Sequence, residues 1–238
     1  MNLILLDLFC GAGGGSVGFH HAGFDVVGVD INMQKRYPYD FLQMDALDAL
    51  RKLIAGDGLL FGSRCIYLSD IAVIAASPPC QVYSVTASLS NGNHPDLVAI
   101  TRDALIGTGK PYVIENVPGS PLINPLMLCG TMFGLRVIRH RLFECNPSIW
   151  FPPAICNHWG TASSSGRGKK PTNVPGYVPG TLINYDFITV AGSDYIVADG
   201  RIAMGIDWMT KKELSQAIPP AYTEFIGKHL IRVLFSEV

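Results

Sequence analysis

Charge is scarce in this sequence: 16% of its 238 residues are Asp, Glu, Lys or Arg, and 18 basic side chains nearly cancel 19 acidic ones for a net charge of −1. With 48% hydrophobic residues, such a chain is neither intrinsically disordered nor a charged coiled coil, and it lacks the glycine period of collagen. No apolar run reaches the roughly 18 residues of a membrane span. The opening MNLILLDLF meets Asp7 before a signal-peptide core could form, so the sequence predicts no membrane partner and a cytoplasmic location. Cys10, Cys65, Cys80, Cys129, Cys145 and Cys156 lie far apart without a CxxC pair, which excludes a disulfide framework and suits free thiols in a reducing compartment. Cys145, Cys156 and His158 lack both that spacing and a fourth partner, so no metal site is expected. Cys10, Cys65 and Cys129 read as ordinary buried thiols. Internal repeats are absent too, leaving the composition of one globular domain, with 25 glycines to turn between short elements.

The small net charge is unevenly spread. Residues 130–185 carry six Lys and Arg against one acid, whereas residues 1–129 carry seven against eleven. A basic middle segment can hold a phosphate backbone, or it is a solvated loop with a few lysines.

Along the chain, LILLDLF (3–9), VVGVDI (26–31), IAVIAA (71–76) and PYVIENV (111–117) read as buried strands. SVGFHHAGF (16–24, stopped by Gly23), ALDALRKLIA (46–55) and DLVAITRDALIG (96–107) have helical spacing between them. Alternation of this kind predicts an α/β fold, a Rossmann-like doubly wound, mostly parallel sheet whose ligands bind beyond the carboxyl ends of its strands. After residue 120 the alternation fails. RLFECN (141–146) reads as a short strand, and 160–180 as a Gly, Ser and Pro-rich loop. LINYDFITVAG and DYIVADGRIAMG read as β segments, the second turning at Asp-Gly, so a small β-rich appendage is expected over 146–205. The closing stretch reads as a helix, a Pro-Pro break and an amphipathic helix that packs back onto the sheet.

The uncommon residues fall at the predicted ligand edge. CGAGGGSVG carries GxGxxG at Gly13, Gly15 and Gly18, and Asp30 ends the next strand 19 residues after Gly11. A glycine loop opening a helix admits an anionic group, and a carboxylate at that distance can take both hydroxyls of a ribose; NAD, FAD and S-adenosylmethionine all fit this pattern. Asp45 is either a contact for an adenine amino group or the N-cap of the following helix. In SPPCQ (77–81) two prolines fix the backbone before Cys80, which suits a held nucleophile provided that local positive charge raises its thiolate fraction. Glu115 and Asn116 end a hydrophobic strand, where a desolvated carboxyl rises toward neutrality and can serve as an acid, or where Glu115 simply pairs with an arginine. Arg139 and Arg141 of VIRHRLFE would project to one side of a strand and could supply that charge.

DLFCGAGG, VVGVDIN, SPPCQVYS, ENV and RHR, in this order, resemble the DNA (cytosine-5)-methyltransferases over residues 3–145, and the resemblance returns at 217–230. It implies a catalytic domain over 1–145 completed by 206–238, with 146–205 as a small target-recognition region, and a reaction on a cytosine flipped out of double-stranded DNA. It further implies that Cys80 attacks C6, that Glu115 serves N3, and that Arg141 with Arg139 holds the O2 carbonyl. Phe9, Gly11, Gly13, Asp30, Ile31, Asp45, Pro79 and Gln216 would bind S-adenosyl-L-methionine. No obligate protein partner is implied.

The sequence departs from the family pattern in places. Val137 stands where the family has glutamine ahead of its arginines, and Ser215-Gln216-Ala217-Ile218 replaces a Gly-Asn motif. The brief recognition region predicts short or relaxed sequence specificity, with Arg136, Arg167, Lys169 and Lys170 on phosphates. Tyr83–Asn93 reads as a loop closing over the base or as a plain surface loop, and Trp150 and Trp159 as packing or stacking residues. The competing readings are a catalytically silent nucleic-acid-binding module that keeps the cofactor fold and an RNA cytosine-5 methyltransferase. A dinucleotide-dependent oxidoreductase ranks last, because it gives Cys80 no role.

Overall fold

The computed structural model describes residues 3–79, 97–149, 151–160, 186–191 and 195–235. Three short apolar runs, β1 (Ile4–Leu8), β2 (Asp25–Asp30) and β3 (Asp40–Gln43), pair in parallel, and β6 (Ile71–Ala76) and β7 (Tyr112–Asn116) continue the sheet on the other side of β1. β8 (Leu126–Leu128) and β9 (Arg141–Asn146) close it in the order β3-β2-β1-β6-β7-β9-β8, with β9 antiparallel to both neighbours. The chain leaves β1 toward β2 and later resumes at β6 on the opposite flank, so the crevice between them is a topological switch point where α/β sheets bind ligands. The expected doubly wound α/β architecture is therefore present.

Helices cover both faces because the strands are apolar on both. Leu6, Leu8, Val27 and Val29 pack with Ala49, Leu50 and Leu53 of α2 (Ala46–Ile54) and Leu105 of α3 (Leu97–Gly107). On the other face, Leu5, Val26 and Val73 pack with Phe19 of α1 (Gly14–Ala22) and with Tyr222, Ile226 and Leu230 of α6 (Pro220–Phe235). Gly23 ends α1 with a left-handed φ of 117°, as its position predicts.

The α1–α6 contact is set by Gly18. A Cβ at Gly18 would land on the Pro220 carbonyl oxygen and the Thr223 hydroxyl, which itself donates to the Gly15 carbonyl at 2.8 Å. Gly18→Ala is therefore expected to destabilise the fold by about 1–3 kcal/mol, the usual cost of overpacking a close contact. Denaturant unfolding measures it, and an unchanged midpoint would rule out this account of the glycine.

Two local expectations are corrected. The segment 194–205 does not turn at Asp-Gly: Val197–Met204 is a helix, α4. Asp199 lies in its first turn, where the helix dipole favours an acid, and Gly205 supplies the left-handed stop at φ 68°. Gly200 lies against the Tyr195 ring, where a side chain would not fit. Among the described residues of 146–205, the β structure beyond the end of β9 includes a parallel bridge, Val137 to Ile188. A small antiparallel hairpin also occurs at β4 (Leu59–Phe61) and β5 (Arg64–Ile66), where Cys65 is exposed rather than buried. The C-terminal expectation holds: α5 (Lys211–Gln216) opens on a Thr210–Glu213 capping box, and α6 begins at the second proline, Pro220. Among the described residues, no helix is long and apolar enough to cross a membrane.

Candidate active site

A cavity of about 540 Å³ opens at the carboxyl ends of β1, β2, β6 and β7, with α5 as its far wall. Its floor is the turn after β1, where Phe9 and Gly11 both hold left-handed backbone, φ 57° and 51°. Glycine adopts this freely, whereas a phenylalanine there is strained and is held by its surroundings. Asp30 is oriented by two backbone amides, Gly11 N–H to Oδ2 at 3.0 Å and Asn32 N–H to Oδ1 at 2.8 Å. Each oxygen keeps a lone pair free, and the carboxylate lines the cavity beside Ile31.

On the opposite side, Pro78 and Pro79 line the cavity where β6 runs out. Asn116 anchors this turn, its buried Nδ2 donating to the Pro78 carbonyl at 3.0 Å while its Oδ1 accepts from Val117 N–H. The functional groups gather next to it. Glu115 is buried on β7, and its Oε1 lies 2.9 Å from Arg141 Nε at the start of β9. Burial raises the Glu115 carboxyl above the ordinary glutamate range, against the opposing pull of Arg141, Arg139 and Ser77. Asp7, buried on β1 and bonded to the Ser16 hydroxyl, is pushed up to about 7 by burial, with help from the charges of Asp30 and Glu115. Two carboxyl groups whose burial strengthens their hold on a proton thus face the cavity that the amide-anchored Asp30 also lines.

Residues 3–119 match the model of the C-5 cytosine-specific DNA methylases. Over this stretch, just under half of its length, the chain is similar to that family. A type II methyltransferase of Haemophilus parahaemolyticus, M1.HphI, is 34% identical over 125 residues, which are 49% of this chain and 33% of that protein; the chain spans about a third of this relative's length. Two solved structures share the fold at low identity. The chain described as a DNA modification methyltransferase encoded within an E. coli prophage superposes with a TM-score of 0.62 at 15% identity, covering 98% of this chain and 99% of that one. The Entamoeba histolytica methyltransferase EhMeth gives 0.56 at 14% identity, with coverages of 98% and 99%.

Within this methylase fold the residues singled out in the sequence separate into two groups. Phe9, Gly11, Asp30, Ile31, Pro79, Glu115, Arg141 and Gln216 all line the one cavity. Asp45 does not: it caps α2, accepting from Leu47 N–H at 2.9 Å and Asp48 N–H at 3.1 Å. Gly13 caps α1 beneath Tyr37 and Pro38, outside the lining. Arg139 is also off the cavity wall. The strand begins only at Arg141, so period-two alternation does not extend back to Arg139. Its buried guanidinium donates to the carbonyls of Val190 at 2.7 Å and Ser215 at 2.8 Å, and burial together with the Arg141 charge brings it down to about 9. Arg139 thus ties α5 and the 186–191 segment to the sheet, and it reaches Glu115 by its field rather than by contact. Cys80, the Tyr83–Asn93 loop, Trp150, Arg167, Lys169 and Lys170 lie outside the described residues.

Three contributors were missed in the sequence. Trp208 donates its indole N–H to the Ala12 carbonyl at 2.9 Å and so pins the glycine loop. Met209, just before α5, and Lys212 within it also line the cavity. A lone tryptophan shortly before the altered C-terminal motif was the available signal for the first; nothing local marks the other two.

Proposed function

We propose that this chain transfers a methyl group from S-adenosyl-L-methionine to C5 of cytosine in double-stranded DNA. The observation that supports it is one continuous cavity carrying Asp30 and Phe9 at one end and Pro79 with the Glu115–Arg141 pair at the other. Its volume of about 540 Å³ lies within the usual range for a cofactor site. The anchored Asp30 carboxylate suits ribose hydroxyls, and the glycine turn lets the backbone approach the donor's charged tail. When bound, the donor supplies an electrophilic methyl group on a sulfonium.

The remaining chemistry falls to the chain. C5 of a pyrimidine is a weak nucleophile, so Cys80, following Pro79, adds its thiolate to C6 as Glu115 gives its proton to N3. The ring is then an enamine with electron density at C5. Arg141, held against Glu115, offers its guanidinium to the O2 carbonyl. After C5 has taken the methyl group, solvent takes the C5 proton as the carbon–sulfur bond breaks, which re-forms the C5–C6 double bond and restores the thiolate, and N3 returns its proton to the Glu115 carboxylate. The base reaches such a cavity only out of the stack.

The test incubates the protein with methyl-labelled donor and duplexes containing cytosine or 5-fluorocytosine, alongside matching RNA. Label at C5 of DNA cytosine and a denaturant-stable protein–DNA adduct with the fluorinated duplex are expected. Label on RNA alone would replace DNA by RNA as substrate, and donor binding without label on either would favour the silent module.

A further inference from the structure

Away from the cavity, two cysteines and two histidines converge. Cys129 immediately follows β8 and is fully buried, and His140 immediately precedes β9, so both are anchored at the edge of the sheet. Cys156 and His158 come from the segment 151–160. The four ligand atoms lie within 4.8 Å of one another. His158 Nε2 is 3.4 Å from Cys129 Sγ and 3.0 Å from Cys156 Sγ, and His140 Nε2 is 3.4 Å from Cys156 Sγ. Metal–sulfur bonds of about 2.3 Å and metal–nitrogen bonds of about 2.0–2.1 Å in a tetrahedron would place ligand atoms roughly 3.3–3.8 Å apart. The measured separations approach that geometry.

We propose that Cys129, His140, Cys156 and His158 form a structural zinc site. Two thiolates and two imidazoles are the donor set that zinc takes in closed tetrahedral sites, and with all four positions filled by protein there is no open one for water or substrate. The surroundings fit this. Thr131 Oγ1 accepts from Asn157 N–H at 3.3 Å and lies 3.7 Å from Cys156 Sγ, a polar shell around the ligands.

The segment 151–160 also needs such a staple. It has no helix or strand, and Phe151, Ile155 and Trp159 are 80–90% exposed. Hydrophobic burial therefore supplies little to hold it. A metal joining Cys156 and His158 to Cys129 and His140 would fix it to the sheet. It would also fix the backbone at His140, whose carbonyl accepts from Arg141 Nη1 at 2.8 Å, so the ion would position the arginine that faces Glu115.

In the sequence, Cys145, Cys156 and His158 lack CxxC spacing and a fourth ligand. Cys145 instead points into the core, where burial raises its thiol to about 12. Cys129, taken for an ordinary buried thiol, is the missing ligand, and His140 is the fourth.

The test measures zinc in the full chain purified under reducing conditions. About one zinc per chain is expected, lost in Cys156→Ser and in His158→Ala but kept in Cys65→Ser, whose thiol is exposed and distant. Cobalt added to metal-free wild type should give the intense visible bands of a tetrahedral site together with thiolate charge-transfer absorption. Chelation of the wild type, which requires no variant to fold, should expose 151–160 to limited proteolysis, with protection restored by zinc. Failure of the reduced wild type both to retain zinc and to take up cobalt overturns the proposal, as does a Cys129–Cys156 disulfide found in its place. Neither result depends on methyl transfer, so the zinc site and the proposed function fail separately.

Discussion

Cys80→Ser is expected to abolish both methyl transfer and the adduct with 5-fluorocytosine, and Glu115→Gln to slow transfer by about 10²–10⁴-fold, the range for losing a positioned acid. The two effects differ in kind. Serine has no accessible anion near neutral pH and cannot open the reaction, whereas glutamine still hydrogen-bonds N3 but cannot give it a proton. Glutamine also keeps an oxygen for Arg141 Nε, 2.9 Å away in the wild type, so the wall should survive. Donor affinity, set at the Asp30 end, should be unchanged in both variants. The pH dependence carries a further signature. Burial raises the Glu115 carboxyl, and only its protonated form donates, so the wild-type rate should fall as pH climbs through that raised value. Glu115→Gln should lack this alkaline limb while keeping the rise caused by thiolate formation. Single-turnover kinetics across pH would show it; an alkaline limb persisting in Glu115→Gln would assign the proton to another group.

These expectations rest on the part of the chain that is most legible. Residues 3–117 alternate buried runs with helical spacing, and the residues at strand ends, Asp30, Pro79 and Glu115, fall on one edge by topology alone. Reading failed where one local rule met a tertiary demand. Asp199-Gly200 has turn chemistry, yet packing against Tyr195 and a left-handed stop at Gly205 make the segment helical. Strand alternation puts Arg139 beside Arg141, yet the strand starts only at Arg141. The Cys129 cluster joins residues separated by ten positions, then fifteen, then one. A spacing of that kind becomes a site only through the path of the loop between them.

Asp7→Asn is expected to stabilise the protein, and more so as pH rises. In the folded chain the Asp7 carboxyl holds its proton up to about pH 7, whereas an unfolded aspartate releases it near about 3.9. Burial is the main cause, and the neighbouring charges of Asp30 and Glu115 add to it. A raised folded value means that the native state binds the proton more tightly, so this contribution to stability is complete below about pH 4 and decays until about pH 7. The loss is of order 4 kcal/mol, an upper figure because relaxation and water entry reduce it. An asparagine does not titrate, and its carbonyl can still accept from Ser16, the hydroxyl bonded to Asp7. The gap between variant and wild type in denaturant unfolding should therefore widen by roughly 2–3 kcal/mol from pH 5 to pH 8. Parallel pH profiles for the two proteins would show that Asp7 is not the titrating group. Because Asp7 lies on the cavity wall, a widening gap would also mean that this fold carries a destabilising acid where its ligands bind, a cost expected of a functional site and not of an inert core.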